Sequence, residues 1–284
     1  MMLNGEELVV IGAAGRTGHQ LLIELERRRI SARALVRSEN RAAGISPAHR
    51  PVVADLANAD ALEKAFSGAK VVHFIPPLFS MSEVAYAANA INASIKMKVE
   101  RFVYHSVLHA DTPEMPHHIR KANVERLVRG SSLRWTIVQP AMYVTTPFLY
   151  FRPQEMAFRP PFSTTKPFNP VDTEDLSEAV ANVLLQDDHE FATYELAGAN
   201  ALSFQDMAAI ASEVTKTTVK AIAGTADEAL AGRNLSAESK NEARAMYAFY
   251  DRHGLLGNGR VLGMLLGRHP RSFESSFSSF IQRH

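Results

Sequence analysis

At 284 residues the chain is long enough to bury one large core, or a major domain with a smaller appendage. With 46% hydrophobic and 21% charged residues and a formal net charge of +1, it has the composition of an ordinary soluble globular protein and lacks the basic stripe that nucleic acid demands. The absence of cysteine excludes disulfides, thiolate zinc sites, Cys-ligated iron–sulfur clusters and a cysteine nucleophile.

No apolar stretch approaches the roughly 20 residues that span a bilayer. The opening MMLNGEELVVIGAAG has no basic flank, so its apolar run reads as a strand rather than a signal peptide. The expectation is a cytoplasmic protein that engages neither membrane nor nucleic acid, with its oligomeric state left open.

Short apolar runs alternate with helical periodicity through the first half, which predicts an α/β Rossmann-type doubly wound parallel sheet. Leu8-Val9-Val10-Ile11 opens it as a buried strand, followed by a helix over 17–29 with Leu21, Leu22 and Leu25 on one face. Residues 32–36 and 51–54 are the second and third strands. A helix over 59–67 turns Ala61, Leu62, Ala65 and Phe66 inward and leads to a fourth strand over 71–75. A helix over 84–97, patterned by Ala88, Ile91 and Ile95, precedes a fifth strand over 101–105. A helix over 118–129 then feeds a sixth strand over 135–138.

The rhythm changes after Pro140. Residues 143–170 combine Tyr143, Phe148, Tyr150, Phe151, Phe158, Phe162 and Phe168 with many prolines, and read as an irregular aromatic segment over the sheet's carboxyl edge. It can serve as a mobile lid or stack on a flat substrate, but core packing is the more frequent role of such rings. Asp172 to Asp175 offer an N-cap and an acidic first turn, and a strand over 193–197 and a helix opened by Ser203 follow. The remainder reads as mostly helical with a short strand over 219–222. The predicted organisation is a dinucleotide-binding domain over 1–142 and a C-terminal substrate-cleft or lid portion over 143–284.

The chemistry begins at the first strand–helix turn, Gly12-Ala13-Ala14-Gly15-Arg16-Thr17-Gly18. Glycines let this turn close tightly and let backbone approach a pyrophosphate, which rests on free N–H groups at the helix start. Gly12, Ala14, Gly15, Arg16, Thr17 and Gly18 are therefore the expected phosphate-binding residues. The spacing is G-x-x-G-x-x-G rather than G-x-G-x-x-G, a pattern that ligand-free turns also use.

An NAD-selective site places an acid at the end of the second strand to hold the ribose hydroxyls. Here that position is Arg37, with Arg41 close behind and Arg16 in the loop, so the expected cofactor is NADPH rather than NADH. The plainer reading makes these arginines solvated charges. Asp55, next to Leu56, can accept from an adenine amino group or simply cap the 59–67 helix. Ile75, Pro76 and Pro77 end the fourth strand and can line the cofactor, or merely terminate the strand.

Taken together, VVIGAAGRTG, ALVRSENR, Asp55-Leu56, RFVYHSVLHAD, Val138-Gln139-Pro140-Ala141-Met142 and LLGRHPRSFESSF resemble the NmrA-like atypical short-chain dehydrogenase/reductases, nearest to the NADPH-dependent quinone and azo-dye reductases. The resemblance spans essentially the whole chain. It implies a Rossmann domain with a smaller C-terminal portion forming one wall of a substrate cleft, Pro140 among the cofactor contacts, and a small, aromatic substrate. Some members of the family reduce quinones, azo dyes or imines, whereas others bind dinucleotide as redox-sensing regulators.

By the parent pattern of a serine and a Tyr-x-x-x-Lys pair, Ser106 takes the serine place, Lys121 the lysine place, and His117 stands where tyrosine is expected. His117 and His118, four and three residues before Lys121, can each share its helical face and serve as proton donor, or be exposed imidazoles at a helix start. Lys121 is also expected to hold the nicotinamide ribose. His105 and His109 lack an acidic cluster and are not expected to bind metal. The expected activity is NADPH-dependent hydride transfer to a flat, electron-poor quinone, azo compound or imine, with a non-catalytic NADP(H) sensor as the alternative.

Overall fold

The computed structural model describes residues 7–283, so the first six residues of the predicted 1–142 segment lie outside it. The chain runs β1 (Leu8–Ile11), α1 (Arg16–Arg27), β2 (Arg33–Val36), α2 (Glu39–Ala42), β3 (Arg50–Val53), α3 (Ala59–Phe66) and β4 (Val71–Phe74). It continues through α4 (Glu83–Lys96), β5 (Arg101–His105), α5 (Pro116–Arg129) and β6 (Arg134–Pro140). Then come α6 (Thr145–Tyr150), β7 (Phe151–Arg152), β8 (Ala157–Phe158), α7 (Thr173–Leu185), β9 (Ala192–Leu196), α8 (Phe204–Thr215) and β10 (Lys220–Ala221). Helices α9 (Ala226–Leu230), α10 (Ala237–His253), α11 (Gly259–Leu266) and α12 (Phe273–Gln282) complete it.

Among the described residues, seven strands form one parallel sheet in the order β3-β2-β1-β4-β5-β6-β9. This is the doubly wound Rossmann-type α/β arrangement expected from the alternating pattern. Strands β1, β2, β4 and β5 are buried throughout because helices cover both sheet faces, which explains why apolar residues predominate in them without strict alternation.

The described residues divide into two compact units. The first holds residues up to Asp111, with His118–Gln139 and Ser177–Tyr194. Its core packs Val9, Ile11, Leu62, Phe66, Phe74, Phe102, Tyr104 and Ile137 together. Strand pairing places Ile11 beside Phe74, so the turn after β1 and the end of β4 are neighbours. Strand order reverses between β1 and β4, the crevice where doubly wound folds bind ligands.

Two local expectations change. The buried face of α4 is Ala87, Ala90, Ile91 and Ser94, whereas Ile95 is exposed and Ala88 half-buried. The small residues let α4 sit close to α3 and the sheet, and a pattern built on the larger side chains pointed one residue off. Helix α3 is capped by Asn58, whose side chain accepts from the Ala61 N–H at 3.0 Å; Asp55 instead accepts from Ala57 N–H, so the capping alternative for Asp55 falls away.

The second unit comprises Thr112–His117, Pro140–Leu176 and the residues from Glu195 onward. The 143–170 segment is more ordered than its composition indicates. It contributes α6, β7 and β8, and β8 also pairs with β10. Most of its aromatics are core, with Tyr143 and Phe148 half-buried. Phe158 and Phe168 are fully buried with Phe204 and Phe277, and Phe162 packs against Tyr247 and Tyr250. Asp172 caps α7, accepting from Glu174 and Asp175 N–H groups as expected. Buried Asp175 in turn receives Arg268 and Arg271, which fasten the segment leading into α12.

Candidate functional site

The glycine turn occupies the crevice between β1 and β4. Gly12 adopts φ +76, a left-handed conformation that side chains resist, and a Cβ there would lie 2.6 Å from the Ile75 carbonyl oxygen. A Cβ on Gly18 would lie 2.4 Å from Gly12 O and 2.7 Å from Ala13 Cα. These two glycines are thus required by the fold of the turn itself. Gly15 differs, because its Cβ would meet only Gly12 O, at 3.2 Å, and the residue is exposed.

Helix α1 begins at Gly15 with no side-chain cap and no acid in its first turn. Its positive dipole end is therefore uncompensated from within the helix. Arg16 is exposed beside it, while Ala14 and Thr17 are half-buried. The chemistry of this turn fits a pyrophosphate: backbone donors, a positive dipole, and an exposed Gly15 with no side chain at the helix start.

Around the turn, Arg37 is exposed just beyond β2, and Asp55 is exposed with Leu56 half-buried beyond β3. Ile75 is buried and Pro76 half-buried beyond β4. Pro77 is exposed. All of these follow the carboxyl ends of parallel strands, the edge on which such sheets bind nucleotides. Pro140 is buried at the end of β6 in the second unit, where His117 is also buried.

Ser106 follows β5, and its backbone N–H bonds to Val138 O at 2.8 Å. Its hydroxyl donates to Glu125 Oε1 at 2.6 Å, and the same oxygen accepts from Gln139 Nε2 at 2.7 Å. Arg129 bonds to the other Glu125 oxygen at 2.9 Å. Lys121 Nζ is paired with Glu83 Oε1 at 2.9 Å, and Tyr104 Oη donates to that oxygen at 2.8 Å. Burial, then the Glu83 charge, pushes the Tyr104 hydroxyl well above its usual pKa, so it stays protonated.

His118 is fully buried, with Nδ1 3.0 Å from His109 O. Burial lowers its pKa to about 4 against the raising effect of that hydrogen bond, with Lys121 adding repulsion. The ring is therefore neutral at pH 7.

Glu83, Glu125 and Tyr104 did not stand out in the sequence. Glu125 follows Lys121 by four residues, the spacing of a helical ion pair, but the lysine instead takes its partner from the start of α4. Glu83 resembles any acid in a first helical turn, and only its burial to 1% exposure sets it apart.

The NAD(P)H azoreductase of Xenophilus azovorans is 25% identical over 274 residues, covering 94% of this chain and 95% of that protein. Among solved structures, an NADPH-dependent quinone oxidoreductase from Escherichia coli in complex with NADPH superposes with TM-score 0.84 at 22% identity. That match covers 96% of this chain and 99% of the other. The negative transcriptional regulator Nmra in complex with NAD matches with TM-score 0.80 at 17% identity, over 99% and 97% of the two chains. Both structures share the fold. The profile of the NmrA-like family matches residues 4–278, and the chain belongs to that family.

Proposed function

We propose that the chain is an NADPH-dependent reductase of small, flat, electron-poor substrates such as quinones, azo compounds or imines. The observation that carries this reading is the glycine turn: tight, uncapped, and seated where the strand order reverses. The nearly full-length likeness to an NAD(P)H azoreductase supports it.

In this reading Gly12, Ala14, Gly15, Arg16, Thr17 and Gly18 hold the pyrophosphate, and Arg37 pairs with the 2′-phosphate that distinguishes NADPH from NADH. Asp55 and Leu56 meet the adenine. Ile75, Pro76, Pro77 and Pro140 supply apolar walls that exclude water. Lys121 hydrogen-bonds the nicotinamide ribose and lends positive charge, and Ser106 completes the polar lining. Bound nicotinamide supplies hydride. The substrate proton falls to His117, because His118 is neutral and its Nδ1 is directed at the His109 carbonyl. Residues 143–284 form the substrate-binding portion, and the protein works in the cytoplasm.

A second reading, a dinucleotide sensor without turnover, is supported by the fold shared with the NAD-bound negative transcriptional regulator Nmra.

Arg37→Glu tests the cofactor assignment. Loss of a charge-assisted contact costs about 1.5–3 kcal/mol, and the exposure of Arg37 argues for the lower end. NADPH affinity is expected to fall by about tenfold or more, with NADH affinity nearly unchanged in the same fluorescence titration. An equal change for both nucleotides would show that Arg37 does not read the 2′-phosphate.

A further inference from the structure

Lys121 carries a charge on a side chain only 15% exposed, and a lysine so placed needs an anion close by. The acid one helical turn away is already engaged. Glu125 accepts Ser106 and Gln139 on one oxygen and Arg129 on the other. The lysine instead reaches across to Glu83, itself 1% exposed and fixed at the start of α4 by the protonated Tyr104 hydroxyl. One carboxylate oxygen thus receives both Lys121 and Tyr104, which fills its two lone pairs. An ammonium has three donors, and the Glu83 bond takes one of them.

We propose that Glu83 is the positioning residue for Lys121, holding the ammonium so that its two remaining N–H donors serve the cofactor ribose. The inference rests on the proposed nucleotide-binding role of Lys121. Tyr104 steadies Glu83 by donating to the same carboxylate oxygen that Lys121 engages. Glu83 acts through the lysine and touches no ligand itself.

This arrangement predicts strong non-additivity in NADPH affinity. Lys121→Met and Glu83→Gln are each expected to weaken NADPH by about tenfold. The double variant is expected to be no weaker than Lys121→Met alone, because Glu83 has nothing left to position. A carboxylate that matters only for folding would multiply its loss onto that of the lysine, so additive effects in well-folded variants overturn the proposal.

Glu83→Gln leaves a buried cation without its anion and can fail to fold. Tyr104→Phe then takes its place, since it removes one hydrogen bond and keeps the ion pair. Its smaller loss must likewise vanish in the Lys121→Met background, and a loss that persists there overturns the proposal. Full NADPH affinity in the wild-type chain with additive variants sinks the role of Glu83 alone. A wild-type chain that binds no nucleotide sinks the reductase reading and this inference with it.

Discussion

Gly18→Ala is expected to destabilise the protein by about 1–3 kcal/mol and to weaken NADPH by more than tenfold. Two effects oppose each other at this position. Alanine in a helix gains about 1 kcal/mol over glycine, and Gly18 lies inside α1. The new Cβ, however, would sit 2.4 Å from Gly12 O, 2.7 Å from Ala13 Cα and 2.9 Å from Gly12 C. All three are backbone atoms of the turn, so relief requires moving the loop itself rather than rotating a side chain. The displaced loop is the proposed pyrophosphate cradle, which is why affinity falls along with stability. Gly44→Ala serves as the control, because its nearest neighbour is Arg41 O at 3.8 Å. Urea denaturation should show the loss in Gly18→Ala and almost none in Gly44→Ala. A Gly18→Ala protein as stable and as tight for NADPH as wild type would contradict the close-packed turn.

Acid should destabilise the first unit through its buried histidines. His73, His105 and His118 are all buried in it, at 0%, 4% and 0% exposure. Burial lowers His73 and His118 to about 4 and His105 well below its usual value, the last reinforced by repulsion from His73 and Lys121. In the unfolded chain each titrates near 6.5. A group whose folded pKa is depressed in this way binds its proton in the unfolded state first. Its contribution is whole above pH 6.5 and is lost as pH falls from 6.5 toward 4.

His73 and His118 each contribute a slope of about 1 kcal/mol per pH unit as pH falls below 6.5, and His105 acts in the same direction. Denaturation followed from pH 7.5 to 5 should show a fall beginning near 6.5, and His73→Leu should make that fall shallower. A flat profile down to pH 5 would mean these rings are not held neutral.

The central sheet was legible because its buried strands are short, mostly apolar segments between periodic helices. The fifth strand falls over 101–105 in both sequence and structure. The glycine turn was legible for a related reason, since only glycine tolerates both a left-handed φ at Gly12 and the backbone approach at Gly18. The 143–170 segment was not, because β7 and β8 are two residues each and carry no periodicity. Their existence depends on pairing with one another and with β10, more than 60 residues further along the chain.

The polar network around Lys121 was hidden for the same kind of reason. Lys121 and Glu83 are 38 residues apart and Ser106 and Glu125 are 19 apart, so no local spacing announces either contact. A buried carboxylate looks like a surface one until the elements around it are packed.

The most direct test of the account is a calorimetric titration of the purified protein with NADPH and NADH, followed by NADPH oxidation against quinones, azo dyes and imines. The predicted result is tighter binding of NADPH than of NADH, with turnover on at least one of the three classes. Tight binding without turnover would favour the sensor reading, and failure to bind either nucleotide would contradict the account at its root.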